Sequence, residues 1–190
     1  MIRVTPKPEP DCFDTRVRVP GNKFLLTKSP SDNFRPYWTR CIKELYASYE
    51  GICAYLGIYI YKTGGVTVDH FIPKSAMPEL AYEWDNYRLC SSIINSRKHN
   101  YQDIIDPFDI DNEWIYLNFL TGEVFPNPSL SNFVITLINQ TIFRLKLNYG
   151  DTCDIRMDYW TEYCERHIDI DYLKRKAPFI YKEASRQRLL

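Results

Sequence analysis

Residues 68–100 read VDHFIPKSAMPELAYEWDNYRLCSSIINSRKHN, and the fold is read outward from them. The pair Asp69-His70 closes a β-prone run, Val66-Thr67-Val68, and Pro73 follows three residues after the histidine. Asn86 stands in a Trp84-Asp85-Asn86 context, and Asn95 and Lys98 lie three apart in a stretch, Leu89–Asn100, that lacks Gly and Pro and is predicted to form a short helix. Upstream, Ile58-Tyr59-Ile60-Tyr61 is a second β-prone run, joined to Val66–Val68 by Lys62-Thr63-Gly64-Gly65, which reads as a hairpin turn. The expected order is therefore strand, strand, loop, helix.

Before this stretch, Trp38, Cys41, Ile42, Leu45, Tyr46 and Tyr49 recur at helical spacing from Asn33 onward, with Pro36 in the first turn and Gly51 as a stop. Residues 1–32 hold five of the chain's 12 prolines and one alternating run, Arg16-Val17-Arg18-Val19, and read as an extended arm with an edge strand. After it, Trp114–Phe119 and Glu123–Phe125 flank Thr121-Gly122, a second hairpin. Two apolar stripes follow: Val134, Leu137, Ile138, Ile142 and Leu145, then Ile155, Tyr159, Trp160 and Tyr163. Pro178 interrupts the helix that begins near Asp171. The sequence thus predicts a single α+β domain: an arm (1–32), a core with its preceding helix (33–110), and a hairpin with a helical C-terminal extension (111–190).

A chain of 190 residues with 45% hydrophobic side chains can bury a core without staples. No run approaches the length of a membrane span, and the N-terminus lacks the apolar centre of a signal peptide, so a cytoplasmic protein is expected. The six cysteines are scattered and none stands at CxxC spacing, which argues for free thiols and against a four-cysteine zinc site. Formal net charge is zero, whereas proteins that bind nucleic acid unaided usually carry a basic surplus. Residues 103–127 contain no Lys or Arg but carry Asp103, Asp106, Asp109, Asp111, Glu113 and Glu123; the stretch is either solvated or a dock for a basic partner.

Asp69, His70, Pro73, Asn86, Leu89, Asn95 and Lys98 stand in the order found in HNH endonucleases of the ββα-metal (His-Me finger) class, which residues 50–110 resemble. The resemblance implies a ββα-metal core and phosphodiester hydrolysis, with nucleic acid as partner and DNA ahead of RNA. It makes His70 the general base, Asn86 the residue that pins the loop carrying the base, and Asp69 and Asn95 oxygen ligands to one Mg²⁺ or Mn²⁺. His99, four residues after Asn95 and so on the same helix face, is a plausible third ligand. Lys74, Arg97 and Lys98 are the cations available to phosphate. Trp38, Tyr46, Trp114 and Trp160 are read as packing residues, and His167 as structural or surface.

Two features depart from the family. Many HNH proteins carry a zinc knuckle; here Cys53 and Cys90 keep one cysteine of each pair, so no structural zinc is expected and apolar packing of Leu56 and Ile93 is expected in its place. The spacing from Cys90 to Asn95 is also one residue longer than in many knuckle-bearing members. More narrowly, His70–Ser75, Glu83–Asn86 and Asp106-Pro107-Phe108 resemble the HNH proteins that accompany ATPases in bacterial antiphage systems of the Septu and retron type. This implies a defence ATPase as protein partner. A catalytically inactive HNH-fold interaction subunit is the alternative from another functional class.

Overall fold

In the computed structural model, which describes residues 1–190, helices dominate and two short antiparallel strand pairs accompany them, a mixed α+β fold. No helix is long and apolar enough to cross a membrane. Contacts divide the chain into two compact units, one of residues 6–51 and 60–102, the other of residues 1–5, 52–59 and 103–190. This differs from the arm, core and extension read from sequence: residues 6–32 pack into the first unit, and residues 103–110 belong to the second.

The first unit begins with a π-helical turn, Asp14–Arg18, that runs into α1 (Val19–Thr27). The alternation at Arg16–Val19 is therefore not a strand. Phe13, Val17 and Gly21 recur four apart, all buried, and that helical period outweighs the two-residue one. Pro20 falls in the first turn of α1, where its missing N–H costs nothing. The helix expected from Asn33 is shorter: a 3-10 turn (Tyr37–Cys41) leads into α2 (Ile42–Ser48), which buries Leu45 and stops as Glu50 and Gly51 turn to positive φ.

The hairpin expected between residues 58–61 and 66–68 is absent. Strand β1 (Val66–His70) instead pairs with β2 (Tyr87–Ser91) in a register of five, Val66 opposite Ser91 and His70 opposite Tyr87, across a loop of residues 71–86. This longer ladder covers Val68 with Leu89 and consumes Leu89 and Cys90, so α3 spans Ser92–Lys98 rather than beginning at Leu89. Gly65 makes the corner: it has φ of 72°, its carbonyl accepts from Ser92 N at 2.7 Å, and a Cβ there would meet the Ser92 hydroxyl at 2.3 Å. The order is thus strand, loop, strand, helix, with α3 directly after β2 and Ile94 buried.

In the second unit, β3 (Ile115–Leu117) pairs with β4 (Val124–Pro126) through a turn at Gly122, which has φ of 72°. Helix α4 (Asn132–Leu145) is capped by Ser131 Oγ, which accepts from Val134 N, and buries Ile138, Thr141 and Leu145. Helix α5 (Gly150–Cys164) buries Thr152, Cys153 and Arg156 rather than the expected Ile155 stripe, whose members are half-buried. Helices α6 (Ile170–Lys176) and α7 (Pro178–Arg186) break at Pro178 as the sequence predicts. Cys53 and Cys90 fall in different units. Leu56 is buried as expected, whereas Ile93 is 56% exposed and Ile94 takes the core position in its place.

Candidate active site

Strand β1 ends in Asp69-His70, and the loop of residues 71–86 folds back over both. His70 is 5% exposed; its Nε2 lies 2.9 Å from the Ala81 carbonyl oxygen. A carbonyl can only accept, so the proton sits on Nε2 and Nδ1 keeps its lone pair. Lys74 Nζ lies 3.3 Å from that Nδ1 and stands 4.5 Å over the Trp38 ring. Trp38 and Tyr87 close on the imidazole edge-on, at centroid distances of 4.8 and 5.0 Å, and the Tyr87 hydroxyl shares the Ala81 carbonyl. Burial first, and the Lys74 charge second, push the His70 pKa down to about 3. The ring is fixed and neutral near pH 7, and with Lys74 against Nδ1 it is a weak base.

Asn86 holds the loop. Its Oδ1 accepts from Ile72 N at 2.8 Å, and its Nδ2 donates to Ile72 O at 3.0 Å and to Leu80 O at 3.1 Å. One buried amide therefore ties residue 72, just after the histidine, to residue 80, just before the carbonyl that orients it.

Lys98 departs from expectation. Its side chain is fully buried, with Nζ 3.1 Å from Asp69 Oδ1 and donating to His70 O at 2.8 Å and Phe71 O at 3.0 Å. An ammonium has three protons, and these partners use all of them. Lys98 is not placed to contact a phosphate; it clamps the end of β1. Arg97 is half-buried on α3, and Lys74 is the cation that faces the site.

Asp69, His70, Lys74, Asn95 and His99, with Phe34 at the edge, line a cleft of about 210 Å³. Asn95 Nδ2 donates to Thr67 Oγ1 at 3.1 Å and Val68 O at 3.3 Å, which leaves Oδ1 as the amide atom available to the cleft. His99 has φ of 48° and ends α3 rather than continuing it, so it does not share a helix face with Asn95; it reaches the cleft from the residue after the helix. No group of three or more His, Cys, Asp or Glu is gathered to hold a metal ion. The donors present, one carboxylate, one amide oxygen and an exposed imidazole, suit in kind a hard divalent cation that completes its shell with water and substrate oxygen.

Sequence reasoning took Trp38 as a packing residue, and the structure packs it edge-on against His70 and beneath Lys74. The Ala81 carbonyl and Phe34 carry no sequence signal at all. A scan against protein-family models and a search of curated proteins each returned no match to the chain.

Proposed function

We propose that the chain is a metal-dependent endonuclease of the HNH class, hydrolysing phosphodiester bonds in nucleic acid, with DNA ahead of RNA. The observation that carries this reading is the His70 imidazole, fixed on the Ala81 carbonyl through Nε2 and held against Lys74 at Nδ1, in the wall of a cleft that Asp69 and Asn95 also line. Nδ1 takes a proton from water as that water attacks phosphorus in line with the departing 3′-oxygen. Lys74 leaves Nδ1 for a non-bridging phosphate oxygen, which frees the lone pair when substrate arrives. Asn86 keeps the His70–Ala81 distance fixed through the loop. Asp69 and Asn95, with His99 as a third donor, would hold one Mg²⁺ or Mn²⁺, which when bound supplies charge neutralisation for the leaving oxygen.

One observation favours a second reading, a non-catalytic HNH-fold interaction subunit: Asp69 is held by Lys98 and His70 Nδ1 by Lys74, so both groups have internal partners. Supercoiled plasmid separates the two. The nuclease nicks it in Mg²⁺ or Mn²⁺, stops in EDTA, and loses about 10²–10⁴-fold with His70→Ala. Metal-dependent cutting that His70→Ala leaves unchanged would remove the base assignment, and no cutting at all selects the subunit.

The resemblance to antiphage HNH proteins extends the proposal to a defence complex with an ATPase. Asp109, Asp111, Glu113 and Glu123 are exposed in the second unit and are the carboxylates through which a basic partner would dock. Reversing Asp109, Asp111 and Glu113 to Lys breaks such a complex while leaving His70-dependent cutting intact; retention of the partner assigns the stretch to solvent.

A further inference from the structure

We infer that the cleft continues into a groove that seats an unpaired nucleotide beside the scissile phosphate, so that the substrate strand is single-stranded where it is cut. The inference rests on the phosphodiester-cleavage reading only for which phosphate is scissile. The groove, about 750 Å³, is walled by Leu25, Lys28, Phe34, Lys74, Ser75 and Pro78, and it shares Phe34, Lys74 and Ser75 with the His70 cleft. The two are one trough. Its size lies in the range of roughly 300–1,000 Å³ over which proteins enclose small organic groups.

The chemistry of the wall repeats the parts of a nucleotide. Phe34 is half-exposed and offers an aromatic face, flanked by the apolar surfaces of Leu25 and Pro78. Lys28, which follows α1, holds its ammonium over the Phe34 ring, 5.1 Å from the centroid, and Lys74 stands over Trp38 in the same way. Each cation thus covers a π-face, and a base stacks on Phe34 as the Lys28 ammonium moves from the ring to the neighbouring phosphate, the two contacts by which single strands are held. Asp32 and Glu79, also on the wall, accept from base amino edges and repel phosphate, so the groove receives a base rather than a run of backbone.

Single-strandedness follows from the ring. In a duplex both faces of each base are already covered by its neighbours, and only an unstacked base can lie on Phe34. The zero net charge agrees with this. Duplex binding depends on many phosphate contacts and counterion release, for which the chain has no cationic surplus, whereas stacking supplies affinity without one.

The test is fluorescence anisotropy in EDTA, with a short fluorescein-labelled single strand of mixed sequence and the blunt duplex made from it. The unmodified protein binds the single strand more tightly. Phe34→Ala weakens single-strand binding about 10-fold and leaves duplex binding unchanged. Phe34→Leu, which keeps the side chain apolar and loses the ring, does the same. Lys28→Ala lowers the salt dependence of single-strand binding by about one phosphate contact. Equal affinity for the two probes, or indifference to Phe34, overturns the groove. The failure modes are separable: ring-dependent strand binding without His70-dependent cutting keeps the groove and refutes the reaction. Cutting with no role for Phe34 keeps the reaction and refutes the groove.

Discussion

In the second unit, Arg156 on α5 is 1% exposed and directs Nη1 to the carbonyls of Gly122 and Leu147, at 2.8 and 2.7 Å. Glu183 on α7, equally buried, accepts from Leu117 N at 2.9 Å. In the first unit, Lys98 is as deeply buried and binds the carbonyls of His70 and Phe71 in the same manner, but its remaining contact is the Asp69 carboxylate, and Asp69 and His70 line a cleft. Arg156 and Glu183 fasten peptide groups of neighbouring turns and so hold the fold together. The Asp69–His70–Lys98 group uses the same kind of fastening to fix an acceptor lone pair and a carboxylate at a cleft wall. Burial of charge therefore does not distinguish a site from a staple; the group left facing a cavity does.

The largest expected effect comes from removing the fastening in each unit. Lys98→Ala leaves Asp69 as a buried carboxylate without its cation, which costs about 3–5 kcal/mol of stability, read from urea unfolding. Arg156→Ala takes the side-chain donor from the Gly122 carbonyl, at about 1–3 kcal/mol, while the Leu147 carbonyl keeps Thr152 Oγ1 at 2.9 Å. The comparison sharpens in the plasmid assay under conditions where both variants remain folded. Lys98→Ala loses nicking with its stability, and Arg156→Ala keeps it. If Arg156→Ala abolishes cutting in folded protein, the division between staple and site is wrong.

Asn86 should show an intermediate effect. Asn86→Ala leaves Ile72 N, Ile72 O and Leu80 O without the amide and destabilises by about 1–3 kcal/mol. Asn86→Asp retains the acceptor for Ile72 N but loses both donors. If the amide orients His70 through the loop, kcat falls in both variants more than KM rises. Unchanged kcat in a folded Asn86→Ala protein would confine the residue to loop packing.

The sequence made the strand ending in Asp69-His70, the loop after it and the helix carrying Asn95 legible, because each is a local pattern, but it set the second strand before β1 where the structure sets it after the loop. It misassigned the partner of β1. Residues 58–61 carry the β-prone run, whereas residues 89–91 read as the start of the helix, and only tertiary packing, with Leu89 opposite Val68, makes them the partner strand. The N-terminal arm was hidden for a related reason: Arg16–Val19 fits a strand period over four residues, and only Phe13 and Gly21 on either side reveal the helical one. Lys98 carried the least legible role. Its place in the pattern marks a cation near the site, and nothing in a sequence tells whether that cation points outward to phosphate or inward to Asp69. The comparison between Lys98 and Arg156 is available only once burial and partners are known.

The smallest predicted effect tests whether His70 is held as the geometry has it. Burial, reinforced by Lys74 and Lys98, lowers its pKa from 6.5 to about 3 against the opposing pull of the Ala81 carbonyl. The folded protein then declines a proton that the unfolded chain accepts near pH 6.5. Below that pH the unfolded state binds more protons, so stability falls as pH falls through the window from about 6.5 toward about 3, and the contribution is complete above it. Between pH 7 and 5.5 the loss amounts to about 1 kcal/mol. His70→Gln has no such group, while the carboxylates titrate in both proteins and cancel in the difference. Urea midpoints in EDTA at the two pH values should therefore show the parent's stability relative to His70→Gln shrinking by that amount on acidification. A difference that stays constant with pH would mean that His70 titrates in the folded state as it does in the unfolded chain. Its ring would then be solvated, its Nδ1 lone pair would not be fixed at the cleft, and the contrast with the second unit's buried charges would lose its chemical half.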